Sequence, residues 1–156
     1  MNLIFRMLFV YLASLFKPRL TVGKVNNTLR LRVLPNDLDV NLHMNDGRYI
    51  TICDLSRVDL FIRSGLLRTM LKEGWIPVIA EHTMRYKKSL HLFERYTVRM
   101  ELTHWDEKGF YMSHSFTVGD RVVAEGRSIG MIRSKQGVIP PEQVMAAVSR
   151  HQGPRD

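Results

Sequence analysis

The chain holds a single cysteine, Cys53, among 156 residues, so an intramolecular disulfide framework is excluded and the sequence is compatible with a reducing, cytoplasmic setting. Cys53 reads as a small core hydrophobe rather than a nucleophile. No Gly-rich phosphate loop and no zinc-ligand spacing occur, and Lys and Arg are scattered instead of gathered in a tract. These absences argue against a nucleic-acid partner and give no grounds for a metal or a redox cofactor. Acidic residues are outnumbered, 15 against 23, and the formal charge of +8 favours polyanions, among them anionic lipid headgroups and phosphate-bearing small molecules. Long apolar runs are missing too. The longest uncharged one, Met7 to Phe16, is about half of the roughly 20 residues a membrane-spanning helix needs.

What is present begins with that short run. Met1 to Phe16 is apolar apart from Asn2, Arg6 and Ser14, and on a helix these three and Lys17 fall on one narrow side. An interfacial anchor fits, with residues 1–19 reaching an anionic membrane surface through their basic side chains. A helix packed on its own domain and a short signal peptide are the competing readings. The length suits one main domain, and we divide the chain into an N-terminal helix over 1–20, a domain over 21–138 and a short helix with tail over 139–156.

Thr28 to Leu34 alternates apolar and basic residues as a half-buried strand does. A helix is expected from Asn45 to Ser64, free of proline and stopped by Gly65, followed by a further turn or two to Lys72. Its apolar residues surround most of the axis, which implies enclosure by a sheet or a partner. Asp54 and Arg57, three apart, are spaced to pair. Period-two strands follow at Ile76 to Tyr86, Thr97 to Trp105, Phe110 to Val118 and Val122 to Arg133. Gly126 and Gly130 mark bulges or a close backbone approach, and a helix opens at Pro141. One strand, one long helix and four antiparallel strands make an α+β domain.

Between the first strand and the long helix lies Asn36 to Tyr49, Asn-Asp-Leu-Asp-Val-Asn-Leu-His-Met-Asn-Asp-Gly-Arg-Tyr. Asp37, Asp39, Asn41, His43 and Asn45 occupy every second position, with Leu38, Val40, Leu42 and Met44 between them. An extended loop would aim the polar set one way and anchor itself by the apolar set. The loop ends at a helix start, where unpaired N–H groups favour a developing oxyanion. Carboxylate, imidazole and oxyanion site together suit acyl chemistry. A loop-stabilising Asx turn or helix cap is the structural alternative for Asp39 and Asp37, and a packing histidine is the alternative for His43.

The stretch resembles the Asp-x-Asn-x-His-x-Asn-Asn-x-x-Tyr signature of hotdog-fold thioesterases, in the plastid acyl-ACP and 4-hydroxybenzoyl-CoA thioesterase groups, with Asp46 in place of the second asparagine. More loosely, His82 to Trp105 is similar to small membrane-associated members of that superfamily. The resemblance implies a curved antiparallel sheet wrapped around one long helix and a homodimer with active sites between subunits. It implies an acyl-CoA or related thioester as substrate, with no cofactor. It assigns Asp39 as general base or nucleophile, Asn41 and His43 as holders of water or polarisers of the carbonyl, and Glu81 as a downstream glutamate. Arg85, Lys87 and Lys88 form a basic cluster suited to coenzyme A phosphates, or a solvated strand end. Val58, Phe61, Ile62, Leu66 and Met70 are candidates to line an acyl tunnel, or plain core. A hotdog enoyl-CoA hydratase fits less well, because its motif proline is absent and the histidine comes one residue early. A non-catalytic acyl- or lipid-binding protein peripheral to a membrane is the reading from another class.

Overall fold

The computed structural model describes residues 2–20 and 25–152. Its elements are α1 (Asn2–Leu15), β1 (Asn26–Arg32), α2 (Asp46–Ser64), α3 (Leu66–Glu73), β2 (Ile76–Tyr86), β3 (Arg95–Asp106), β4 (Gly109–Val118), β5 (Arg121–Ser134), β6 (Gly137–Ile139) and α4 (Pro141–Gln152). All pairings are antiparallel, in the order β1-β3-β4-β5-β2, with β6 paired to β5. The sheet wraps the long helix α2, as expected of a hotdog domain. The short β6 had no period-two signal of its own.

Local chemistry explains where the helices begin and end. The Asn45 side chain accepts from the Gly47 N–H at 2.9 Å and caps α2, and Gly65 ends it in the left-handed region at φ 81°. Along β4 the buried residues alternate, Met112, His114 and Phe116, so this face of the strand meets α2. At the start of α2, Tyr49 packs edge-on against Tyr86 and Phe116, with ring centroids 5.0 Å apart in each pair. The motif tyrosine is therefore a core anchor. Gly126 is a true close approach, since a Cβ there would come within 2.1 Å of the Thr83 carbonyl oxygen on β2.

Part of the cover that α2 requires comes from α1 of the same chain. Val10 and Ser14 are buried against it, and the Ser14 hydroxyl donates to Asp59 at 2.5 Å. Asp59 is fully enclosed on α2, where it also accepts from the Asn27 amide, Lys17 and Arg63. Burial alone would raise the Asp59 pKa, but these donors outweigh it and hold the carboxyl below the usual range.

The orientation of α1 corrects the anchor reading in one respect. Arg6 and Lys17 turn inward to the buried carboxylates of Asp37 and Asp59 instead of outward to headgroups. Two enclosed carboxylates require partners, and α1 supplies them. The apolar side faces away from the protein, with Phe16 89% and Phe9 70% exposed.

Candidate active site

The stretch from Leu34 to Asn45 is a folded loop, not the extended one its alternation suggests. A 3-10 turn spans Pro35–Asp37. The Asp39 N–H then donates to the His43 carbonyl (2.8 Å), the Leu42 N–H donates to the Asp39 carbonyl (3.1 Å), and Leu42 adopts φ 60°. This reversal breaks the two-residue period. Leu38 and Met44 meet across a bridge and anchor the loop, whereas Val40 (96% exposed) and Leu42 (69% exposed) project into solvent. The polar set likewise divides, with Asp37 buried, Asp39 and His43 half-buried, and Asn41 exposed.

Asp37 is a hub. It takes the Arg6 fork on both oxygens (3.0 and 2.7 Å) and accepts from the Leu34 N–H (2.8 Å), while Arg48 approaches to 3.6 Å. Its carbonyl accepts from the Asn45 N–H. These bonds give it the structural role. Asp39 uses one oxygen, Oδ1, to accept from the N–H groups of Asn41 (2.8 Å) and His43 (3.3 Å). Its second oxygen has no hydrogen bond among the described residues. One half of the carboxylate shapes the turn and the other half is open.

The His43 ring stands edge-on to His91, with centroids 5.0 Å apart. At the start of α2, the N–H groups of Gly47 and Arg48 are taken by Asn45, while that of Asp46 carries no bond among the described residues. A half-free carboxylate, an imidazole and an open helix N-terminus therefore share one loop.

The remaining expected residues do not converge on this point within the chain. Glu81 is exposed, and alternation along β2 puts it on the sheet face opposite to His82, which contacts α2. Arg85 shares that outer face in a depression with Arg99 and Arg127, Lys87 pairs with Glu125 at 2.9 Å, and Lys88 is exposed. Of the expected tunnel residues, Phe61 and Leu66 line an apolar cavity of about 80 Å³ between α2, the sheet and α4. Val58 instead faces α1, and Met70 packs with Ile132, Val144 and Val148.

A buried polar cluster beside α2 was not foreseen beyond the spacing of Asp54 and Arg57, which do pair. Arg57 also donates to His82 Nδ1 at 3.1 Å, and His114 Nε2 lies 2.9 Å from the Ser128 hydroxyl. The alternation of His82 and His114 with outward residues was the available signal. Burial, then the Arg57 charge, lowers the His82 pKa, and the same causes take His114 down to about 3. Burial pushes the Cys53 thiol up to about 12, which agrees with a core role.

Cys53, His82 and His114 bring three ligand-type atoms within 4.8 Å of one another. The donor set is of zinc type, but Arg57 can only donate, so it fixes the His82 proton on Nε2 and adds a positive charge beside any cation. The cluster therefore suits a neutral polar core better than a metal.

The profile of the thioesterase-like superfamily matches residues 33–148, most of the chain and all of the loop from Val33 onward. This chain belongs to that superfamily. Among relatives of this thioesterase-like chain, Protein THEM6 of Xenopus laevis is 37% identical over 121 residues, covering 76% of this chain and 56% of that protein. The chain spans about half the length of the curated relatives it matches. The probable thioesterase YbaW of Escherichia coli superposes with a TM-score of 0.69 at 20% identity, over 78% of this chain and 95% of that one. The gentisyl-coenzyme A thioesterase BH1999 gives 0.66 at 20% identity, over 79% and 99%. These superpositions establish the hotdog fold.

Proposed function

We propose that this domain hydrolyses acyl-coenzyme A, or a related acyl thioester, to the free acid and thiol. The observation that carries the reading is the free Asp39 oxygen, held half-exposed by the turn it braces, on the same loop as His43 and the open N–H at the start of α2. In this reading Asp39 is the general base for water or the nucleophile. Asn41 and His43 orient the water or polarise the carbonyl, and the helix start receives the oxyanion. The apolar cavity lined by Phe61 and Leu66 takes part of the acyl group, and Arg85, Lys87 and Lys88 meet coenzyme A phosphates.

The working form in this reading is a homodimer. β2 is an eleven-residue edge strand whose outer edge has no partner among the described residues, and the exposed Val40 and Leu42 at the loop tip call for cover. With β2 of each copy running along the other, the two sheets join edge to edge and Glu81 stays on the outer face of the joined sheet, so its part in the site is left to Glu81→Gln. The test is a panel of acyl-CoA esters followed for free thiol and, separately, for loss of an enoyl chromophore, with sedimentation of the same preparation. Thiol release by a dimer is the expected result. Binding without release from every ester would sink the catalytic reading, and a stable monomer at micromolar concentration would sink the shared site.

A second reading, acyl or lipid binding at a membrane surface, is favoured by the outward apolar side of α1. No helix among the described residues is long and apolar enough to cross a membrane, so α1 would lie on the surface. Phe9 lines a groove with Arg30, which places positive charge at the rim of the apolar side. Deleting α1 would strip partners from Asp37 and Asp59, so the informative change is Phe5→Ser with Phe9→Ser. We expect that variant to stay folded and to lose at least tenfold in affinity for anionic vesicles, with the unaltered protein weakened by salt. Undiminished vesicle binding would remove the membrane role of this face. The anchor serves either a catalytic or a lipid-binding domain.

A further inference from the structure

We infer that Arg6 of the N-terminal helix is a positioning residue for the candidate active-site loop, acting through Asp37. This inference rests on the thioesterase reading for its kinetic consequence, but its geometry stands apart from it. Arg6 makes a two-pronged contact with the Asp37 carboxylate and also donates to the Arg32 carbonyl at 3.1 Å, so one guanidinium joins the end of β1 to the loop. The Asp37 carboxylate in turn accepts from Leu34, and its carbonyl accepts from Asn45, the cap of α2. Both ends of the loop are thereby referred to one buried residue. Asp39, whose oxygen braces the turn, lies two residues further on.

The fork geometry matters because Asp37 is fully enclosed. A planar guanidinium can satisfy both carboxylate oxygens at once, which an ammonium cannot do. Without Arg6, the charged neighbour left is Arg48 at 3.6 Å, contacting Oδ1. A buried carboxylate so exposed to imbalance relaxes toward water, and the loop would relax with it. A helix whose outer side is apolar thus carries, on its inner side, the residue that sets the geometry of the loop.

Three variants test this: Arg6→Ala, Arg6→Lys and, as a control that loosens α1 elsewhere, Ser14→Ala. Amide hydrogen exchange is read at Asn41, His43 and Asn45 and compared with the interior of α2, and kcat and KM are measured on an acyl-CoA that the parent hydrolyses. For Arg6→Ala we expect exchange at those three amides to quicken by about tenfold or more while Leu55 keeps its protection. We expect kcat to fall by a factor on the order of 10 to 100 with little change in KM, as displaced reacting groups produce. Arg6→Lys should restore part of both, and Ser14→Ala should change neither.

Unchanged loop exchange in Arg6→Ala would overturn the inference, as would an even loss of protection through α1, α2 and the sheet, or the same changes in Ser14→Ala. If the parent releases no thiol from any thioester, the proposed activity fails on its own. Exchange at the three amides then still decides the role of Arg6.

Discussion

Asp39→Asn is expected to lower kcat for thioester hydrolysis by a factor on the order of 10² to 10⁴, with a much smaller effect on substrate affinity. The geometry makes the substitution unusually clean. The oxygen that accepts from the Asn41 and His43 N–H groups can be kept as the amide carbonyl, so the turn stays braced while the free carboxylate oxygen is replaced by a donor. Asp39→Ala should behave differently, because it removes the brace as well and leaves two N–H groups without their partner. His43→Ala should cost less than Asp39→Asn if the imidazole only orients water or the carbonyl. Steady-state kinetics on one good acyl-CoA ester would decide the order. Parental turnover in Asp39→Asn together with loss in Glu81→Gln would move the base to the glutamate.

The second large effect is on stability in acid. His114 is buried with its pKa lowered to about 3, so its ring stays neutral in the folded protein well below neutral pH, and the pKa of His82 beside it is lowered as well. Unfolded, each binds a proton near pH 6.5, so below that value the unfolded state holds more protons and stability falls as pH falls. The loss runs from about pH 6.5 toward the folded value, and His114 alone should account for about 2 kcal/mol by pH 5. That is a large share of the 5 to 15 kcal/mol typical of a domain. Denaturant melts between pH 7.5 and 5 should show the decline, and His114→Gln should flatten it. An unchanged slope in His114→Gln would assign the decline to other groups. Keeping above pH 5 avoids overlap with Asp59, whose lowered carboxyl contributes stability at neutral pH that is lost only as its own range is reached from above.

The hotdog architecture was legible because its signals are local. Period-two alternation gave five of the strands, with their ends displaced by at most two residues, and the proline-free run closed by Gly65 gave α2 to the residue at its end. The loop was legible by composition but not by shape. Alternation over Asp37 to Asn45 predicts an extended segment, and the fold reverses it between Asp39 and His43 because the Asp39 carboxylate binds two N–H groups of its own loop. No periodicity encodes that choice, since extended chain and Asx turn are open to the same residues.

Which charges face which carboxylates was likewise beyond a linear reading. Arg6 and Asp37 are thirty-one residues apart, and Ser14 and Asp59 are forty-five apart. On a helix considered alone, Arg6 and Lys17 look like surface groups at the border of an apolar face. Once α2 presents Asp59 and the loop presents Asp37, the cost of leaving those carboxylates unpaired turns that border inward and the apolar side outward. The sequence by itself determined the strands, the long helix with its caps, and the set of polar residues at its start, because each rests on spacing and on backbone chemistry within a few positions. Only the tertiary structure decided that Asp37 is a buried strut while Asp39 keeps a free oxygen, that Glu81 turns to the other face of the sheet, and that His82 and His114 close on Arg57 in the core. Those outcomes depend on which groups burial brings together, and burial is settled by packing between elements rather than within any one of them.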